Sequence, residues 1–123
     1  MKKIAIILGI IVFAISAVAI AKPTIEGNKN VVKEERTVKE FKKVAISDGI
    51  DLYLTQGGEN KLVLEVDENL LKHIKTEVKN GTLKIYTDKN IRKPKSLKAH
   101  LTFKALNHIK GSSGSDIYAE EGI

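Results

Sequence analysis

From Phe41 onward, apolar and polar residues alternate in short runs: Ile50, Leu52 and Leu54, then Leu62, Leu64 and Val66, then Ile74 and Val78, then Leu83 and Ile85. Successive side chains of a strand point to opposite faces, so this period-two pattern predicts strands with one buried and one wet face. Asp51, Tyr53 and Thr55 then look outward. The gaps hold residues that enter positive φ at low cost: Asp48-Gly49, Gln56-Gly57-Gly58-Glu59-Asn60 and Asn80-Gly81. Asn80-Gly81, set between two alternating runs, is the strongest hairpin signal in the chain. Asp67 to His73 breaks the rhythm and predicts one helical turn capped by Asp67, with Leu70 and Leu71 as a lid over the sheet edge. Asp88 to Ser96, with Pro94, reads as a loop. Leu97, Ala99, Leu101 and Phe103 then form a strand whose polar face is Lys98, His100, Thr102 and Lys104.

The first of these runs recurs. A shift of 65 positions sets Phe41 on Leu106, Val44 on Ile109, Ser47 on Ser112, Gly49 on Gly114, Asp51 on Asp116, Leu52 on Ile117 and Tyr53 on Tyr118. Self-similarity at a fixed offset predicts stacked copies of one unit, none of which buries its apolar side alone. The expected fold class is therefore all-β: a β-helix-like or solenoid stack of short strands and hairpins, preceded by an N-terminal hydrophobic signal or anchor helix. By the same offset Ile123 falls where Gly58 stands, so the second copy lacks a counterpart of Leu62 to Phe103. Terminal units of a stack normally carry a polar cap, so the expectation is a truncated product of a longer gene, marginal in isolation.

The start of the chain differs in kind. Lys2 and Lys3 precede an apolar run from Ile4 to Ile20, and Ala19-Ile20-Ala21 stands ahead of Lys22-Pro23. That is the pattern of a secretory signal with a small-residue cleavage site. The run is also only slightly short of the roughly 20 residues that span a bilayer. Residues 1–21 are thus read as a signal peptide or membrane anchor, and in both cases the remainder is exported, to the periplasm, cell envelope or extracellular space. Residues 22–37 read as a linker and an edge strand, since Lys22 to Asn30 has no apolar rhythm and the charges of Lys33-Glu34-Glu35-Arg36 discourage pairing with a second molecule. Residues 38–123 hold the β domain.

A chain of 123 residues, 42% of them apolar, builds one modest core. It has no cysteine, so packing and hydrogen bonds alone hold it together in a compartment where disulfides form.

Candidate chemistry is sparse. His73, His100 and His108 are too scattered for a zinc pattern. Asp48, Asp51 and Asp116 could make a ladder of carboxylates that holds Ca²⁺ or works as acid and base on a polysaccharide. The plainer reading has Asp48 in the turn and the other two facing solvent. Lys89, Arg92, Lys93, Lys95 and Lys98 form the most polarised cluster in a chain of formal charge +6, an excess that draws a protein to anionic lipid or wall polymer. A solvated loop is the plainer reading there too. Interleaved aromatics are missing, which argues against nucleic acid as a partner. Gly111-Ser-Ser-Gly-Ser115 lacks the Lys-Ser/Thr ending of a phosphate loop and reads as a turn. No Ser-His-Asp order and no Gly-x-Ser-x-Gly elbow occurs, so no catalytic, cofactor-binding or metal-binding residue is assigned.

An aromatic, then Val-Ala-Ile-Ser-Asp-Gly-Ile-Asp-Leu-Tyr-Leu-Thr-Gln-Gly, then Leu-Glu-Val-Asp-Glu-Asn-Leu-Leu, then Asn-Gly-Thr-Leu-Lys-Ile resembles the bacterial head GIN domain, a family of envelope proteins carrying an auto-transporter adhesin label. The likeness runs from about Val38 to Ile123, and implies an all-β, β-helix-like stack with no established catalytic residues. Several such envelope domains are lipoproteins, from which a chain without cysteine departs. The function expected is adhesin-like binding or a scaffold role toward an envelope polymer or other cell-surface component. Tyr53 and Tyr118, with Asp51 and Asp116, recur at equivalent positions and would form the contact face. The alternatives are an enzyme acting on envelope polysaccharide through Asp51 and Asp116, and an extracytoplasmic sensor on an uncleaved anchor.

Overall fold

The computed structural model describes residues 22–120, so the expected signal or anchor lies outside the described residues. Within them the chain forms β1 (Thr24–Glu26), β2 (Val31–Arg36), β3 (Lys43–Ile46), β4 (Asp51–Gln56), β5 (Lys61–Asp67), a 3-10 helix (Glu68–His73), β6 (Ile74–Lys79), β7 (Thr82–Thr87), β8 (Asn90–Arg92), β9 (Leu97–Phe103), β10 (His108–Gly111) and β11 (Ile117–Ala119). The fold is all-β, and its sheets are open. One has the order β11-β4-β9-β5-β2, a second β10-β3-β7-β6, and β1 pairs with β8 in a third.

The alternation decides which side of each sheet is dry. Leu52, Leu54, Leu62, Leu64, Val66, Ala99 and Leu101 of the five-stranded sheet are buried in one cluster with Val44, Ile46, Ile74, Leu83 and Ile85 of the four-stranded sheet. Complete burial of one such side chain contributes roughly 1.5–3 kcal/mol. The intervening residues face away from this shared core.

The sequence repeat appears as strand register. β10 lies parallel to β3 with Ile109 opposite Val44, and β11 lies parallel to β4 with Tyr118 opposite Tyr53. Both pairs sit 65 residues apart, the offset of the repeat. The corner between the paired strands is repeated as well: Asp48 and Gly49 have φ of 62° and 77°, Ser113 and Gly114 of 52° and 81°. On their other sides β3 and β4 pair in parallel with β7 and β9. The Asn80-Gly81 turn closes the antiparallel β6–β7 hairpin, with both residues at positive φ.

Three local expectations are revised. Asp67 makes no side-chain cap to the helix that follows it. It is fully buried, and its carboxylate accepts the backbone N–H of Lys29 (2.9 Å), Lys95 (2.9 and 3.0 Å) and Ser96 (2.9 Å). The donors come from segments remote in sequence and outnumber what a helix start would offer. Leu70 does close over the core, fully buried, with Leu71 packed beside it. The stretch read as a linker contains β1, and the stretch read as a loop contains β8, because Ile25 and Ile91 pair with each other and pack on the core. A three-residue strand is too short to show alternation.

β2 lies at the edge of its sheet, as its charges predicted. Arg36 ties that edge down by donating to the carbonyls of Ile74 (3.0 Å) and Leu71 (2.9 Å). At the opposite ends of the two larger sheets, β10 and β11 have one neighbour each and carry exposed apolar side chains: Ile109, Ile117 and Tyr118 are 40%, 38% and 44% exposed.

Candidate functional site

The outer face of β11, β4 and β9 gathers the residues singled out from the repeat. Because β4 pairs with β11 on one side and β9 on the other, Tyr118, Tyr53 and His100 fall in one row across three strands. Their rings stack. Tyr53 lies 4.9 Å from Tyr118 at 21° between planes, and 5.2 Å from His100 at 27°. The Lys98 ammonium stands 5.7 Å from the Tyr53 ring centre. Offset aromatic stacks contribute roughly 0.5–1.5 kcal/mol per pair beyond their buried area. With Tyr53 covered on both sides, the ring face left open at the edge of the row is that of Tyr118.

A charged row runs alongside. Asp51 stands opposite Lys98, and Lys98 opposite Glu65. The Asp51 carboxylate accepts the backbone N–H of Asp116 at 3.3 Å, while the Leu52 N–H donates to the Asp116 carbonyl at 2.8 Å. Asp51, at the start of β4, and Asp116, just ahead of β11, are thus neighbours, as the repeat implied. Glu65 Oε1 and His100 Nε2 are 2.9 Å apart, and this hydrogen bond holds the Glu65 carboxyl below the usual glutamate range against the opposing effect of partial burial. The charge of Asp116, with partial burial and Asp51 adding to it, pushes the Tyr118 phenol above its ordinary value.

His100 is the member that sequence reasoning placed on the polar face of its strand and did not join to the tyrosines. Its position between Ala99 and Leu101 matches that of Tyr53 between Leu52 and Leu54, but only the pairing of β4 with β9 brings the two rings together. The basic cluster runs from just before β8, through the loop after it, to β9. Lys98 joins the tyrosine row, the Lys95 amide serves Asp67, and Lys93 offers its carbonyl to the Lys29 ammonium. His73 lies apart from His100 and meets Asp88 at 2.9 Å.

The described residues thus form an all-β body with open sheets and an aromatic, charged outer face. Residues 40–123 match the family model described as putative auto-transporter adhesin, head GIN domain, and the chain belongs to that family. Solved structures agree on the fold. A putative adhesin from Bacteroides fragilis is 29% identical with a TM-score of 0.72, over 79% of this chain and 46% of that one. A putative lipid binding protein from Parabacteroides distasonis is 23% identical with a TM-score of 0.71, over 79% and 44%. A putative adhesin from Parabacteroides merdae, 18% identical, has a TM-score of 0.70 over 80% and 42%. The chain therefore spans less than half the length of these proteins. Comparison with curated proteins finds none that matches.

Proposed function

We propose that this chain is an exported cell-envelope domain that acts by binding, in the manner of an adhesin, and takes an envelope polymer on the outer face of β11-β4-β9. The observation that carries this reading is the Tyr118–Tyr53–His100 stack, which sets ring edges, hydroxyls and an open aromatic face beside Lys98, Asp51 and Glu65. Such a surface offers apolar contact and hydrogen-bond donors and acceptors together, which suits a polyhydroxylated chain. Parallel pairing at the repeat offset favours a β-helix-like stack in which such rows lengthen with each added unit. The adhesin label of the family and of the Bacteroides fragilis neighbour supports the class of function and, with it, an exported or envelope location. Asp51 and Asp116 stand side by side on an open sheet face, and we read them as part of the contact surface.

The test is co-sedimentation of the full-length chain with isolated cell-wall polymer. Tyr53→Ser combined with Tyr118→Ser is expected to weaken binding about 5-fold or more, from two aromatic contacts of roughly 0.5–1.5 kcal/mol each. Unchanged binding by a double variant with a native circular dichroism spectrum ends the proposal.

A further inference from the structure

The outer face of the other large sheet carries an excess of positive charge. Reading across β10-β3-β7-β6, the outward rows are His108, Lys43, Thr82 and Lys79, then Lys110, Ala45, Lys84 and Glu77. Among the described residues Lys43, Lys79, Lys84 and Lys110 form no ion pair; Glu77 is the carboxylate in their rows. At the end of the face Lys22 meets Asp48 at 3.4 Å and Lys75 meets Asp88 at 3.5 Å, so those charges offset one another. The tyrosine face, by contrast, mixes Asp51, Glu65 and Glu35 with Lys98, Lys61 and Lys33.

Small Ala45, opposite both Lys110 and Lys84, leaves a depression between them. The result is a cleft of about 370 Å³ lined by Lys22, Lys84, Lys110, Ser47, Ser112 and Tyr86, with Asp48 at one end. The Asp48 carboxylate is already engaged, accepting the Thr87 N–H at 2.9 Å as well as the Lys22 ammonium. Lys84 and Lys110 remain to meet an anion, with two serine hydroxyls beside them. In sequence Lys22, one of the residues lining the cleft, follows shortly after the apolar run Ile4 to Ile20.

We propose that this basic face lies against an anionic lipid surface and that the cleft receives a headgroup phosphate. Lysines close to an anionic bilayer attract it additively, and the attraction decays within a Debye length. The domain would then turn its lysines to the membrane and leave the tyrosine row free, and the inference stands whether or not that row binds polymer.

The test uses the full-length chain reconstituted into phosphatidylcholine vesicles with or without phosphatidylglycerol, with amine acetylation read by mass spectrometry. Phosphatidylglycerol is expected to lower labelling of Lys84 and Lys110 at least several-fold, leave Lys33 and Lys61 unchanged, and lose its effect at about 1 M salt, where the Debye length is roughly 3 Å. Lys84→Gln with Lys110→Gln, which retains polar side chains of similar reach, should cut the protection of Lys43 and Lys79, since losing two lysines weakens attachment roughly 30-fold. Equal labelling in both vesicles overturns the proposal. So does equal protection of Lys33 and Lys61, which signals attraction by net charge alone. Protection by inorganic phosphate in neutral vesicles that matches the effect of phosphatidylglycerol assigns the cleft to a small anion and overturns the lipid surface. Should the double variant misfold, the wild-type labelling pattern still decides.

Discussion

Asp67 offers the sharpest test of how this fold is held. Its carboxylate has no exposure to solvent and accepts three backbone amides from the segments around Lys29 and Lys95, tying the end of β5 to both. Asp67→Asn keeps the shape but supplies one acceptor oxygen and an amide that donates. If the oxygen stays with Lys95 and Ser96, the Lys29 N–H faces another donor. One charge-assisted hydrogen bond is lost at roughly 1.5–3 kcal/mol and the other two weaken, a total of about 2–4 kcal/mol. Against a domain stability of roughly 5–15 kcal/mol that is a large share, and it corresponds to a fall in Tm of roughly 10 to 20 °C. The pH dependence carries a second signature. Burial alone raises this carboxyl's pKa, but the amides of Lys95, Ser96 and Lys29, with the Lys29 charge, outweigh it and leave the pKa below the ordinary aspartate range. A group depressed on folding contributes its stability above its unfolded pKa, about 3.9, and loses it as pH falls through the lower folded value. Thermal melts of the full-length chain in mild detergent, followed by circular dichroism, should show a wide gap between wild type and Asp67→Asn at pH 7 that narrows below about pH 4. A variant that melts with the wild type at pH 7, or a gap that stays constant into acid, would refute the reasoning.

Two further outcomes follow from neighbouring geometry. Gly27 packs so closely that an added Cβ would collide with the Asp67 carboxylate and come within 3.0 Å of Pro94 Cα, whereas a Cβ at Gly58 meets nothing within 4 Å. Gly27→Ala should therefore cost roughly 1–3 kcal/mol in a denaturant titration while Gly58→Ala stays close to neutral, and equal effects would contradict the packing. His100→Phe keeps a ring beside Tyr53 but removes the donor that depresses Glu65, so Glu65 should titrate closer to an ordinary glutamate by carbon-detected NMR; an unmoved titration would dissociate the pair.

Most local patterns carried into the structure, and non-local ones did so where the repeat marks them. The runs at Leu52, Leu64, Leu83 and Leu101 became strands because period-two alternation is a property of consecutive residues. Asn80-Gly81 became the hairpin because two positive φ values select those residue types. Tyr53 and Tyr118 could be placed side by side because the repeat carries register information in the sequence itself. His100 had no such tag, since the neighbour relation of β4 and β9 depends on what else competes for the β4 edge. The lysine face was hidden for the same reason: Lys43, Lys84 and Lys110 are dispersed along the chain and meet only through sheet order. Asp67 had an obvious local role at a helix start, and three amides from elsewhere displaced it.

The place of β3 and β4 in the middle of their sheets has a kinetic consequence. These strands are made early, yet their partners β7, β9, β10 and β11 all follow them in the chain. As the polypeptide emerges, Val44, Ile46, Leu52 and Leu54 stay without lateral cover until Leu83 to Leu101 have arrived, so zippering cannot track synthesis from front to back. Assembly from such distant partners belongs to the slow, millisecond-to-second regime of β proteins, and throughout that interval a holding chaperone has an oily nascent segment to shield.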